Sequence, residues 1–368
     1  MNIAASIVVV LIMLGVLATL HELGHYWMAR LLKIKVFEVS IFVGPKLLKW
    51  KHKEVDFSLR MIPIGAYVRF SEIDEEGKAV DSKDPDLLLN QPRIKRLLVA
   101  FAGPAMNLCL GILIFLVMFW VTGFTTTHIT KPEKGSQLAA YAEMVNDGDT
   151  IKAVNGVNVY SSFDLVFEMD SADPSKEMDL KIKSKETGKN YTVTLTPVVR
   201  ARPMLLITVE NKLANNDYKG WKVYSVSRFF SALGYAAKMP ASIFNISIRG
   251  IKDIIAGKVK AYNLVSGPIG ITTMVNDVVA DEQDTFADKA YILVMLSAVI
   301  SIALAFSNLL PIPGLDGIQI IFIAVEMVIG RKLSEKAEAR LTVVGFVIIV
   351  LLIILAFVSD ILRIIFGY

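Results

Sequence analysis

Four apolar stretches constrain this chain more than any other feature. Each is long enough to cross about 30 Å of hydrocarbon, which takes roughly 20 residues of helix. They are about Asn2–Ala29, Leu97–Val121, Ile292–Val328 and Val343–Phe366, the third interrupted near Pro311 and Pro313. Apolar residues make up 54% of the 368 and mean hydropathy is +0.52, a balance soluble domains rarely reach. The sequence therefore reads as an α-helical polytopic membrane protein with four transmembrane helices. The first stretch lacks a basic leader and a small-residue cleavage site, so it reads as retained rather than as a signal peptide.

Lys and Arg near the span ends set the orientation. Lys33, Lys35, Lys46, Lys49, Lys51 and Lys53 follow span one, and Arg93, Lys95 and Arg96 precede span two. Arg331, Lys332, Lys336 and Arg340 join spans three and four. Both segments are expected on the cytoplasmic side, which leaves the two termini and the region from about Thr122 to Tyr291 outside. The net charge of +4 is spread along the chain with no basic block interleaved with aromatics, which argues against a nucleic-acid partner. A single cysteine, Cys109, excludes an intrachain disulfide and a C-x-x-C metal site. Lying in an apolar run, it is expected to pack.

Four domains follow: 1–122, spans one and two with the cytoplasmic loop between them; 123–202, a small external α+β domain; 203–290, an external linker with amphipathic helices; and 291–368, spans three and four. In the external domain, Asn146-Asp147-Gly148-Asp149 signals a turn and Thr150–Val154 a strand. Asn155-Gly156 then signals a hairpin turn into Val157–Val159. Ser162 is an N-cap candidate for a helix. Met178–Ile182 and Tyr191–Leu195 alternate as strands joined by a turn at Gly188. Apolar residues at helical spacing over about Ser225–Ile255 fit either a helix on the outer membrane surface or an ordinary packed helix pair. The acidic stretch Ser71–Asp86 reads as an exposed loop.

The strongest local signal is His21-Glu22-Leu23-Gly24-His25. Residues four apart share a helix face, so the two imidazoles can grip one metal, with Glu22 beside them as a base. Zinc lowers the pKa of a bound water to about 7, which lets Glu22 take its proton near neutral pH. Ionisable residues inside an apolar span are costly and mark function. A catalytic zinc site needs three protein ligands and an open position. Of the two other histidines, His52 and His128 both lie outside the spans, so the third ligand is sought among carboxylates. Asp316 stands out, because Pro311, Pro313, Gly314 and Gly317 break the helix around it. Non-helical backbone at that depth is tolerated only where it is buried in protein or lines a water-filled cavity. Glu326 reads as interfacial or part of a polar seam. Two other classes of reading remain open on these residues. One is a membrane-anchored zinc protease acting on soluble loops. The other is a non-catalytic scaffold or transporter that uses the external domain as a binding module.

Five ordered segments resemble the site-2 protease family, and within it the bacterial RseP-type intramembrane zinc metalloproteases. They are His21–His25; Ser58-Leu59-Arg60-Met61-Ile62-Pro63-Ile64-Gly65-Ala66-Tyr67-Val68; Phe101-Ala102-Gly103-Pro104-Ala105-Met106-Asn107; Ser266-Gly267-Pro268-Ile269-Gly270-Ile271; and Asn308 through Gly317. The resemblance implies a bacterial cytoplasmic membrane, Zn2+ held by His21, His25 and Asp316, and Glu22 as catalytic base. Asn308 resembles an asparagine that contacts the substrate near the scissile bond. Val55–Phe70 resembles a membrane-associated β-hairpin whose edge holds unwound substrate, which implies substrate contacts for Arg60, Gly65 and Tyr67. The external domain, at about Thr125–Arg200, resembles a single PDZ domain. Its carboxylate-binding loop would fall on Lys134–Leu138, which departs from the Gly-rich apolar pattern. Gating of bulky substrates is the role expected of it. The implied partners are single-span membrane proteins in the bilayer, such as anti-sigma factors and remnant signal peptides, after a first cut by an upstream protease.

Overall fold

The computed structural model describes all residues except 1–2, 72–82, 130–136, 171–175, 197, 200–202, 205–208, 214–225, 258–267, 281–284, 313, 332–334 and 367–368. The chain begins with helix α1 (Ile3–Leu31), strands β1 (Glu38–His52) and β2 (Val55–Arg69), and helix α2 (Arg93–Thr122). A mainly β region follows: β3 (Gly123–Ile129), β4 (Thr150–Val154), β5 (Val157–Asn158), helix α3 (Ser162–Asp170), β6 (Met178–Lys183), β7 (Asn190–Leu195), β8 (Val198–Val199), β9 (Pro203–Met204) and β10 (Val209–Leu213). Helices complete the described chain: α4 (Val226–Ala236), α5 (Met239–Ile255), α6 (Pro268–Ala280), α7 (Phe286–Asn308), α8 (Asp316–Ile329) and α9 (Glu335–Phe366). Two compact units result, one of Met1–Gly111 with Asp253–Tyr368 and one of Ile112–Lys252.

Among the described residues, four helical segments are long and apolar enough to cross a membrane: Ala4–Leu31, Arg93–Thr122, Phe286–Asn308 and Val343–Ile361. The number matches the sequence reading, but the third span differs. Instead of one broken span over Ile292–Val328, α7 is long and apolar enough by itself, and α8 is a separate helix of 14 residues, about 21 Å long and too short to span. The boundaries have local causes. Thr285 and Asp288 form a capping box that starts α7. Pro311 lacks the N–H that would continue the helix onto Ser307, and it disfavours helical backbone at Leu310. Gly314, at φ +103°, turns the chain. Leu315 is extended, and Asp316 opens α8. Gly330, at φ +81°, closes α8 by donating its N–H to the Glu326 carbonyl.

The hairpin in the first unit is larger than the expected Val55–Phe70, because Glu38–His52 is also a strand. Gly44-Pro45 and three lysines hide this strand in the sequence. Glu38–Ile41 is registered with both Asp56–Leu59 and Ala66–Arg69, while Lys46–His52 pairs with Val55–Arg60. Positive φ at Phe42 (66°) and Gly44 (90°) provides the kink that lets one strand serve both pairings. The hairpin packs on α1. A Cβ at Gly15 would lie 2.6 Å from the Pro63 carbonyl oxygen and 2.7 Å from Phe42, so only glycine admits this approach. Gly15 lies six residues before His21, about 9 Å along the helix. Cys109, expected to pack, is instead exposed on α2. Glu326 lies in a polar seam, nearly fully buried, with Arg96 Nη1 at 2.7 Å.

The second unit holds a sheet in the order β10-β3-β4-β6-β7, with β5 pairing β4. Asn155 (φ 49°) and Gly156 (φ 79°) form the expected tight turn. One face of the sheet carries a core that includes Ile129, Leu138, Ile151, Leu180, Ile182 and Val193, all at 1% exposure or less. Asp149 is fully buried and ties the turn before β4 to the sheet. Its carboxylate accepts from Tyr191 Oη (2.6 Å) and from the N–H groups of Asn146 (3.0 Å) and Lys185 (2.8 Å). Burial pushes its pKa up, but these bonds and the Lys185 charge outweigh burial and hold it below the ordinary carboxylate value. Asp164, also fully buried, joins α3 to α5: Ser242 Oγ donates to it at 2.6 Å and Asn245 Nδ2 at 3.2 Å. Lys134–Ser136 of the expected carboxylate-binding loop lies outside the described residues.

Candidate active site

His21 and His25 lie one turn apart on α1, each 7% exposed, with Nε2 atoms 3.2 Å apart. Asp316 meets both from the start of α8, with Oδ2 2.9 Å from His21 Nε2 and Oδ1 3.4 Å from His25 Nε2. Its place at the first residue of a helix sets the carboxylate beside exposed N–H groups and the positive end of the helix dipole. Tetrahedral zinc with bonds of about 2.05 Å separates its ligand atoms by about 3.3 Å. The two imidazole nitrogens stand near that spacing with a carboxylate oxygen close to each, an arrangement that could hold the ion.

The surrounding hydrogen bonds select the tautomers a metal needs. His25 Nδ1–H donates to the Val99 carbonyl on α2 at 2.7 Å, which leaves the Nε2 lone pair for a metal. Asn107 Nδ2 lies 3.3 Å from His21 Nδ1, while its buried Oδ1 has no hydrogen-bond partner among the described residues. A half-turn of the amide, which exchanges O and N, lets Oδ1 accept from His21 Nδ1–H and frees His21 Nε2 in the same way. The orphaned oxygen thus favours a metal at Nε2.

Helix α2 reaches the histidines because position 103 has no side chain. A Cβ at Gly103 would sit 2.6 Å from His21 Nε2, and it would overlap His25 Nε2. Gly24 plays the reciprocal role, since a Cβ there would meet the Ala102 carbonyl at 2.5 Å and Met106 at 2.8 Å. Glu22 lies on the hairpin side of α1, where its Oε2 accepts from the Val68 N–H at 3.1 Å. A cavity of about 240 Å³ opens over the site, lined by His21, Glu22, Gly65, Ala66, Asn308 and Asp316 among others.

The sequence-predicted residues divide by place. His21, Glu22, His25 and Asp316 converge. Asn308 joins them at the end of α7, with Nδ2 3.2 Å from His21 Nε2 and 3.3 Å from Nδ1, against the ring. Gly65, at φ +71°, lines the cavity. Arg60 and Tyr67 do not. Arg60 donates to Tyr67 Oη (2.6 Å), the Gly44 carbonyl (2.7 Å), Ser40 Oγ (2.8 Å) and Glu38 (3.2 Å). These bonds tie the hairpin together from within, and neither side chain is among those lining the cavity. Burial raises the pKa of Glu38, but its bonds to Lys46, Arg60 and Ser58 prevail and hold it below the ordinary value.

The model of peptidase family M50 matches residues 9–352 of this chain. The chain belongs to peptidase family M50. A Clostridium acetobutylicum protein named as a candidate zinc metalloprotease is 30% identical over 358 residues, spanning 97% of each chain. A Campylobacter jejuni protein of the same description is 31% identical over 349 residues, covering 94% of this chain and 90% of the relative. A third, from Synechocystis, is 29% identical over 374 residues, covering 98% and 96%. In this M50 peptidase, the parts that sequence reasoning left without a role are Gly103, Asn107, Ala66 and the Val68 N–H. Gly103 and Asn107 stand in the Phe101–Asn107 segment. Nothing in one sequence says that the motif lies against α1.

Proposed function

We propose that this chain is an intramembrane zinc endopeptidase that cuts single-span membrane proteins within or near the bilayer. Family membership makes it a zinc metalloprotease with Zn2+ as its metal. One observation carries the finer reading. Three metal-type donors 2.9–3.4 Å apart come together from α1 and from the break after α7, two helices long and apolar enough to cross a membrane.

His21 Nε2, His25 Nε2 and the Asp316 carboxylate would hold the metal. Zinc bound there would supply a Lewis acid and lower the pKa of its bound water to about 7. Glu22, oriented by the Val68 N–H, takes the proton of the attacking water and passes it to the departing amide nitrogen. Asn308, against the His21 ring at the cavity wall, orients the substrate carbonyl. A helical substrate hides its peptide bonds and must be held extended. Val68 turns its N–H toward Glu22. By the two-residue period of a strand, the N–H and C=O of Ala66 face the same way, toward the cavity that Ala66 lines. Ala66 is therefore the edge residue that pairs an extended substrate.

The substrates are single-span proteins trimmed by an upstream protease, such as anti-sigma factors and remnant signal peptides, and the setting is a bacterial cytoplasmic membrane. The charge bias at the span ends supports an active site toward the cytoplasmic side, with both termini and the single PDZ-like domain outside. Helix α5 supports its own placement on the outer surface. One face packs through Ser242 and Ile243, and the other exposes Phe244, Ile248 and Ile251, as in a helix lying in the interface. The test is zinc-dependent cleavage of a reconstituted single-span substrate. Glu22→Gln is expected to lower kcat by at least ~100-fold while retaining zinc, and normal cleavage by that variant would overturn the mechanism.

A further inference from the structure

A cavity of about 620 Å³ lies in the second unit, against β3, β4 and α4, and takes no part in the metal site. Its lining includes the side chains of Lys152 and Lys238, the hydroxyls of Thr126 and Thr150, and the rings of Phe124 and Tyr235, but no carboxylate. Neither ammonium has a carboxylate partner among the described residues. Burial first, then the charges of Lys238 and Lys183, hold Lys152 below the ordinary lysine value. Like charges gathered in one cavity, beside hydroxyl donors and without a counter-charge, leave room for an anion.

The position of the cavity selects the kind of anion. Its aromatic wall packs against the end of span α2. Phe119 lies 5.5 Å from Phe124 and 5.4 Å from Tyr235, and Phe124 and Tyr235 stack at 4.5 Å. Arg228 of α4 donates to the Val121 carbonyl at 2.9 Å, which fastens α4 to the last turn of the span. Val121 is still apolar and 46% exposed, as a lipid-facing residue would be, and Trp120 is of the type that marks the membrane interface. Phe124 comes three residues after Val121, at most about 11 Å of chain. The headgroup zones add about 5–8 Å on each side of the hydrocarbon. The cavity thus opens at the level where lipid phosphates lie, with rings for the glycerol and upper chains and ammonium groups for the phosphate.

We propose that this cavity binds the phosphate-bearing headgroup of an anionic phospholipid, with Lys152 and Lys238 as the paired cations.

The test uses the full-length chain in detergent, titrated with phosphatidylglycerol and, separately, with phosphatidylcholine, and read by native mass spectrometry. Wild type is expected to retain phosphatidylglycerol in preference. Lys152→Ala and Lys238→Ala are each expected to weaken retention on the order of five-fold, and the double variant about 25-fold. Lys189→Ala, a lysine of the same unit outside the cavity, is expected to leave retention unchanged. The Lys152→Arg/Lys238→Arg variant is expected to restore it, which separates lost charge from lost fold. Equal retention of both lipids, or undiminished retention by the double alanine variant, overturns the proposal. Displacement of phosphatidylglycerol by equimolar inorganic phosphate overturns the lipid assignment in favour of a soluble anion. None of these readouts depends on proteolysis.

Discussion

Gly103→Ala adds one methyl group to α2, and the structure makes it a test of the metal site. The new Cβ would stand 2.6 Å from both His21 Nε2 and His25 Cε1 and would overlap His25 Nε2. Carbon contacts ordinarily settle at about 3.5–4.0 Å, so the two rings or the helix must move by about 1 Å. At Gly24 the same two helices are in close contact, with the Ala102 carbonyl and Met106 against α1. The rings are also tied, His25 to Val99 and His21 against Asn107 and Asn308. Overpacking of this size costs about 1–3 kcal/mol, which leaves the protein folded. Ligand distances in a zinc site tolerate only about 0.2 Å, so the site itself does not survive. The expected outcome is a folded variant with zinc content near zero and no cleavage. Glu22→Gln, by contrast, keeps zinc and loses cleavage. Metal analysis beside a thermal melt reads both. Stoichiometric zinc with wild-type cleavage in Gly103→Ala would refute the close approach of α2 to the histidines.

Further predictions follow from single contacts. Asn107→Ala removes the acceptor that sets the His21 tautomer and is expected to weaken zinc affinity by about 10–100-fold, measured by chelator competition. Asp149→Asn is expected to lower the local opening free energy around Asn146 and Lys185 by about 2 kcal/mol at neutral pH, read by hydrogen exchange. Because the folded Asp149 carboxyl lies below its ordinary value, its contribution is fully present above about pH 4 and is lost as pH falls through the folded value. Wild type and variant should therefore converge in acid, and a gap that persists there counts against the assignment. Ser242→Ala withdraws the 2.6 Å bond to buried Asp164 and is expected to speed exchange across α5, at a cost of about 1–2 kcal/mol.

Much of this molecule was legible in one sequence because the features concerned are local. Asn155-Gly156 signals a hairpin turn because few residues tolerate positive φ at two successive positions. His21 and His25 must share a face on any helix. Pro311 cannot supply the N–H that a continuing helix needs. What misled were features whose meaning depends on neighbours distant in sequence. Glu38–His52 carries breakers and lysines, yet it forms a strand because two segments of β2 pair with it. Arg60 is held within the hairpin by Glu38, Ser40 and Tyr67, partners that no local pattern reveals. Cys109 sits in an apolar run, but its direction on α2 was set by which face of that helix packs.

The sequence by itself determined that the chain crosses a membrane, that two histidines and a glutamate share one turn of helix, and that a carboxylate follows a break eight residues past Asn308. Each of these follows from hydropathy, helical period or the missing proline N–H, which are properties of short segments. Only the tertiary structure decided that α8 is separate from the span before it, with Asp316 at its positive end. It also decided that the absence of a side chain at Gly103 lets α2 close on the histidines, and that Ala66 rather than Tyr67 faces the cavity. Those outcomes rest on packing between helices and strands far apart in sequence, where a single methyl group or one strand register settles which atoms meet.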